Sequence, residues 1–213
     1  MNATVILESI AKSFARGAGR VDVLRGVDLT VTPGEIVMIR GRSGTGKTTL
    51  LSILAGWLEA DSGTVRWHPR IAPDPGAWHN VAVIPQTLGM LGELTVRDNV
   101  GLPHRLGSAT YDGMDVMVEL EVDGLADRWI DAVSLGEQQR AAIARAAAAN
   151  PRLILADEPT SHLDPRRLRM VWDLLRRMAA EHGTSVIAAT HDPEALLFAD
   201  RILEIQNGVL VLE

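Results

Sequence analysis

Gly41-Arg42-Ser43-Gly44-Thr45-Gly46-Lys47-Thr48 is the stretch that decides the fold. It satisfies G-x-x-x-x-G-K-[ST] without a mismatch. The apolar run Ile36–Ile39 precedes it, and Leu50, Leu51, Ile53 and Leu54 follow at helical spacing. A glycine-rich turn between a strand and a helix lets successive backbone N–H groups point at an anion, and the helix N-terminus adds partial positive charge. Gly41, Ser43, Gly44, Thr45, Gly46, Lys47, Thr48 and Thr49 are therefore the expected phosphate-binding residues. Lys47 suits the β- and γ-phosphates of ATP, and the Thr48 hydroxyl suits Mg2+. Arg40 and Arg42 read as solvated charges beside the loop.

Working outward, residues 1–40 look β-rich. Val5–Leu7, Val21–Val31 and Glu35–Arg40 are apolar with little helical period, and Pro33-Gly34 marks a turn. A helix is predicted from Thr48 to about Trp57, closed by Asp61-Ser62-Gly63. Short strands at Thr64–Trp67 and Val81–Pro85 flank a Pro/Gly-rich loop, Pro69–Gly76. Residues 95–150 read as helical, with breaks near Gly107 and Asp123-Gly124. The alanine-rich stretch Leu135–Asn150 should be a strong helix stopped by Asn150-Pro151. Then strand and helix alternate: Leu153–Ala156, Arg166–Glu181, Ser185–Ala189, Glu194–Ala199. Asn207-Gly208 reads as a hairpin turn between Ile202–Ile205 and Val209–Leu212. The pattern predicts one α/β domain. Its nucleotide-binding core and antiparallel β subdomain span about 1–86 and 150–213, and a helical insertion spans about 90–149.

Leu153-Ile154-Leu155-Ala156-Asp157-Glu158 is an apolar strand ending in two carboxylates. Asp157 suits Mg2+ held through water. The chain turns at the strand end, so Glu158 can face the γ-phosphate as general base for an attacking water. His191 follows the apolar strand Val186–Ala189 and can donate a hydrogen bond to the γ-phosphate. Ser134 followed three residues later by Glu137 is a capping box for the alanine-rich helix. The other histidines show no such context.

Bulk properties narrow the setting. The chain has 213 residues, 46% hydrophobic and 23% charged, as is ordinary for a globular protein. Its net charge of −6 disfavours a nucleic-acid partner held by a basic face. Without cysteine it forms neither disulfides nor thiolate zinc sites. The first residues do not read as a secretory signal, and no run of 18 apolar residues spans a bilayer.

Taken in order, these residues resemble the ATPase subunits of ATP-binding cassette transporters over nearly the whole chain. Gly41–Thr48 matches the family's Walker A motif, and Leu153–Glu158 its Walker B motif with the catalytic glutamate. Phe14 sits where the family stacks an aromatic on adenine, and Gln86 where it has the Q-loop glutamine, a further catalytic and metal-site residue. Ser134–Arg140 looks like the signature motif, Ser161-His162-Leu163-Asp164 the D-loop, and His191 the switch histidine. Glu137–Arg140 and Leu155–Thr160 look like the branch serving lipoprotein-release, macrolide-efflux and cell-division complexes.

The resemblance implies a P-loop ATPase fold and an ATP-dependent homodimer that sandwiches two Mg-ATP. Ser134, Gly136 and Glu137 of one chain, with Asp164 of its D-loop, would meet nucleotide across the interface. It also implies a membrane-embedded permease docked near Gln86–Leu94, where Leu88, Met90, Leu91 and Leu94 are apolar, and a cytoplasmic chain held peripherally at the inner face of the membrane. One departure stands out: Leu135 replaces a signature glycine, which puts the trans contact and the turnover rate in question. Two other roles remain open. One is a signalling ATPase controlling a cell-wall enzyme through a membrane partner. The other is a soluble cassette protein acting on ribosomes or DNA.

Overall fold

The computed structural model describes residues 3–17, 19–68, 77–107, 109 and 113–212. The predicted loop at Pro69–Gly76 lies outside the described residues. Two sheets carry the fold. An antiparallel sheet of order β2-β1-β4 is built from β1 (Val5–Arg16), β2 (Gly19–Val31) and β4 (Ser62–Trp67). The second sheet has the order β5-β6-β7-β3-β8-β9. It comprises β3 (Ile36–Arg40), β5 (Val81–Ile84), β6 (Leu153–Asp157), β7 (Ser185–Ala189), β8 (Arg201–Gln206) and β9 (Val209–Leu212). Its strands are parallel except for the β8/β9 hairpin. Asn207 (φ 51°) and Gly208 (φ 84°) turn that hairpin, both with the positive φ that a two-residue type I′ loop demands.

Side-chain alternation divides the interior in two, because successive residues of a strand face opposite sides. Val37, Ile39, Leu153, Leu155, Ile187 and Ala189 pack with β1, β2 and α1 (Lys47–Leu54). Ile36, Met38, Ile154, Ala156, Val186 and Ala188 face the other way. There they meet α2 (Val96–Val100), α4 (Met114–Glu119), α5 (Leu135–Ala148), α6 (Pro165–His182) and the short α7 (Pro193–Leu196); α3 (Leu102–Arg105) joins α2 to this layer. Both faces of the parallel sheet are thus covered, which is why its strands read as continuous apolar runs.

The structure differs from the sequence expectation in two places. β1 runs on to Arg16, well past Leu7. A bulge at Ser9 (φ 51°) shifts its register, so period-2 alternation breaks there and Ile10 becomes the next buried residue. The described residues within 95–133, read as helical, form only short helices and 3-10 turns, with the breaks at Gly107 and Asp123–Leu125 where the sequence places them. The stop of α5 falls where the sequence places it: the helix ends at Ala148, and Asn150 adopts φ 45° just before Pro151.

Candidate active site

The phosphate loop leaves β3 and enters α1, as the motif predicts. Gly41, Gly44 and Gly46 have φ of 149°, 80° and 109°, values that L side chains rarely adopt. A Cβ on Gly46 would lie 2.8 Å from Val23 Cγ1, so glycine is also needed for packing against β2. The Thr45 hydroxyl donates to the Arg42 carbonyl (2.9 Å), closing the turn. Lys47 Nζ donates to the carbonyls of Gly41 (2.7 Å) and Arg42 (3.2 Å), which holds the ammonium over the loop it serves.

The C-terminal ends of β3, β6 and β7 are level, and ligands of open α/β sheets bind at such strand ends. Asp157 pairs with Ala189 across β6 and β7. Its Oδ2 accepts from Thr48 Oγ1 at 2.5 Å, so two of the three residues expected to hold a metal are already adjacent; Gln86 lines the same cleft. One hydroxyl and one carboxylate are hard oxygen donors that suit Mg2+. Among the described residues no group of three or more His, Cys, Asp or Glu could hold a metal alone. An ion here would therefore draw its remaining ligands from nucleotide and water, the usual habit of Mg2+.

Glu158 has φ 52°, left-handed for a residue with a Cβ. That conformation turns the chain at the strand end, where the sequence requires a turn for Glu158 to face the loop. Its N–H donates to the Ala189 carbonyl (2.9 Å), and its Oε1 accepts from His191 Nδ1 (2.8 Å). The glutamate side chain is 14% exposed and the histidine 76%. His191 is thus placed to orient the Glu158 carboxylate, although it does not itself line the cleft that holds Glu158.

Phe14, Ser43, Gly44, Gly46, Lys47, Thr48, Thr49, Gln86, Asp157 and Glu158 line one cleft of about 320 Å³. Phe14 stands at its rim, 41% exposed, opposite Val21 on β2, with Lys12 Nζ 5.7 Å from its ring centroid. Ser134, Gly136, Glu137 and Asp164 do not line this cleft. Ser134 caps α5, and its hydroxyl and N–H both reach Glu137 Oε2 at 2.7 Å, completing the expected capping box. Hydrogen bonds from Ser134 hold the Glu137 carboxyl below the ordinary glutamate range. Asp164 caps α6, accepting from Arg167 N (3.0 Å). Gly136 needs its missing side chain, since a Cβ would lie 3.0 Å from the His162 carbonyl. Leu135 is half exposed at the first position of α5.

The segment Gln86–Leu94 departs from expectation. Leu88 is buried at 8% exposure, Met90 packs against the helical-layer core, and of the four apolar side chains Leu91 is the exposed one. Two residues that the sequence reading passed over explain this. Arg145 donates to the carbonyls of Leu88 (2.9 Å) and Gly89 (2.8 Å), and buried Asn99 exchanges hydrogen bonds with Leu91 (2.8 and 3.0 Å). Both pull the loop inward. Burial depresses the Arg145 guanidinium to about 10. The signal available in the sequence was a polar side chain within an alanine-rich or apolar helical stretch. The exposed apolar surface lies alongside instead, in a groove of about 570 Å³ lined by Trp57, Trp78, Val83, Leu91 and Leu106.

A family model described as ABC transporter matches residues 24–161. The lipoprotein-releasing system ATP-binding protein LolD of Ruegeria sp. is 37% identical, over 98% of this chain and 97% of its own. The aliphatic sulfonates import ATP-binding protein SsuB 1 of Nocardia farcinica is 39% identical, over 96% of this chain and 78% of its own. Among solved structures, a dimeric post-hydrolysis state of the ATP-binding cassette MJ0796 bound to ADP and Pi superposes with a TM-score of 0.88 at 29% identity, covering 97% of this chain and 96% of that one.

Proposed function

Because the chain belongs to the ABC transporter family and is an ATPase by that membership, we propose that two copies close around two Mg-ATP and drive a membrane-embedded permease. The observation that carries this reading is the convergence of Lys47, Thr48, Asp157, Glu158 and Gln86 on one cleft rimmed by Phe14. Phe14 offers its ring face to adenine. Lys47 and the loop N–H groups bind the phosphates, and Lys47 exchanges its loop carbonyls for phosphate oxygens. Mg2+ held by Thr48 and Asp157 would neutralise charge developing on the β- and γ-phosphates. Glu158, oriented by His191, takes the proton of the attacking water. Gln86 closes the same site beside the metal position.

The second half of the site is absent from a single chain, since Ser134 and Gly136 stand away from the cleft. A second copy supplies them, with the N-terminus of α5 aimed at the partner's γ-phosphate. The dimeric cassette that superposes on this chain supports that arrangement. The groove beside Gln86 suits the permease: its exposed Trp57, Leu91 and Leu106 form the kind of apolar patch that marks an interaction surface. No described helix is long and apolar enough to cross a membrane, and on this reading the permease supplies the pathway. Similarity to a lipoprotein-releasing ATPase supports the same branch for this chain and a position at the inner membrane face.

The test is co-purification of the chain with membranes. Leu91→Asp with Leu106→Asp puts charge into the groove and should release the chain while ATP affinity stays at the parent value. Undiminished membrane association would exclude the groove as the docking site. Leu88→Asp is unsuitable for this purpose because Leu88 is buried.

A further inference from the structure

Gln139 has no part in the mechanism above, yet it is among the most constrained polar side chains in the fold. It is 2% exposed on α5, in the alanine-rich stretch. Its Nε2 donates to the carbonyls of Glu158 (3.2 Å) and Pro159 (2.6 Å). Its Oε1 contacts His162 Nδ1 at 2.9 Å. The two carbonyls accept only, so the amide NH2 must face them and the oxygen must face His162. His162 Nδ1 therefore carries a proton and donates it to Gln139. One side chain thus ties α5 to the backbone of the hydrolytic base and to the D-loop.

The tie matters because Glu158 is in a left-handed conformation that persists only when its surroundings enforce it. Ala189 holds its N–H from β7, and Gln139 holds its carbonyl from α5. Ser134 caps the start of the same helix, about 7.5 Å along the axis from Gln139 at 1.5 Å per residue. Its far end is fixed by Arg145 to the carbonyls of Leu88 and Gly89. α5 is therefore a short rigid rod with the signature at its tip and the hydrolytic base's backbone against its side.

We propose that Gln139 is a positioning residue that couples the two ATP sites of the dimer. Ser134 meets the nucleotide held by the partner, and Gln139 passes any shift of α5 to the Glu158 carbonyl of its own chain. Alignment of one base then responds to occupancy of the opposite site. This rests on the two-copy reading above, since a single chain has no opposite site to report.

The experiment is an ATP titration of the full chain with Gln139→Met, which keeps the volume and loses the donor. ATP affinity by equilibrium binding should be unchanged. The value of kcat should fall by about tenfold or more, as small misplacements of catalytic groups do. The Hill coefficient, which for two sites cannot exceed about 2, should fall toward 1. In a Glu158→Gln background the same change should cost nothing further, because the base it positions is gone. Exposed His162→Ala removes the donor to Oε1 without touching the core. It should move kcat and the Hill coefficient in the same direction by less, and it preserves the test if Gln139→Met folds poorly. Parent kcat and Hill coefficient in both variants would overturn the proposal. So would a further loss in the Glu158→Gln background, which would make Gln139 merely structural. If Glu158→Gln itself forms no dimer with ATP on gel filtration, the two-copy reading fails and the coupling falls with it. A dimer that forms while both variants behave as parent refutes the coupling alone.

Discussion

Replacing Glu158 by Gln isolates the proton transfer from everything else the site does. The substitution keeps the length and planarity of the side chain, and its amide oxygen can still accept from His191 Nδ1 at the 2.8 Å now spanned by the carboxylate. The backbone at φ 52° is unaffected, since the strain lies in the main chain and both residues carry a Cβ. With the side chain only 14% exposed, the neutral amide relieves any cost of burying charge, so the fold should not lose stability. Basicity is what disappears. General-base catalysis contributes roughly 10²–10⁴-fold, so turnover should fall by at least about a hundredfold, equivalent to about 2.7 kcal/mol on the barrier. The assay is phosphate release under single-turnover conditions, with ATP affinity measured separately and dimer content followed by gel filtration. ATP binding should stay at the parent value, and an ATP-bound dimer should accumulate. Hydrolysis within a few fold of the parent rate would refute Glu158 as the base.

Lys47→Ala should remove most ATP affinity at unchanged melting temperature, because among the described residues its Nζ bonds to the carbonyls of Gly41 and Arg42 in its own loop and ties no other element; a fluorescent-ATP titration with parent affinity would contradict the phosphate-loop assignment. Leu135→Gly should raise the turnover of the assembled dimer with little change in ATP affinity, because the leucine stands half exposed at the tip of α5; a lower rate would mean that the tip has adapted to it. Ser134→Ala should cost about 1 kcal/mol of stability by breaking the capping box, measurable by denaturant unfolding. That contribution should also depend on pH. The Glu137 carboxyl is held below its unfolded value by Ser134, so its stabilisation is full above the ordinary glutamate range and is lost as pH falls through the depressed folded value. Parent and Glu137→Ala melting temperatures should therefore converge in acid.

The sequence by itself determined the phosphate loop, the two carboxylates ending β6, the α5 cap and stop, and the β8/β9 hairpin. Each is a local matter. The loop conformation follows from glycines within eight residues, the cap from a serine and a glutamate three apart, and the hairpin from two adjacent residues that tolerate positive φ. Strand type was legible for β3, β6 and β7 because both their faces are buried and the apolar runs are unbroken. Tertiary structure alone decided the rest. The continuation of β1 to Phe14 depends on a bulge closed against Asp28 and Gly63, partners far along the chain, and a bulge erases the period-2 pattern on which strand reading rests. The burial of Leu88 depends on Arg145, 57 residues away, and of Asn99 on a loop it shares with no sequence signal. Likewise, Gln139 meets Glu158 and Pro159 only because α5 packs beside the strand end. In an alanine-rich helix, a glutamine on the buried face reads the same as one on the solvent face until the neighbouring element is known, because periodicity reports which residues share a face and not what that face meets.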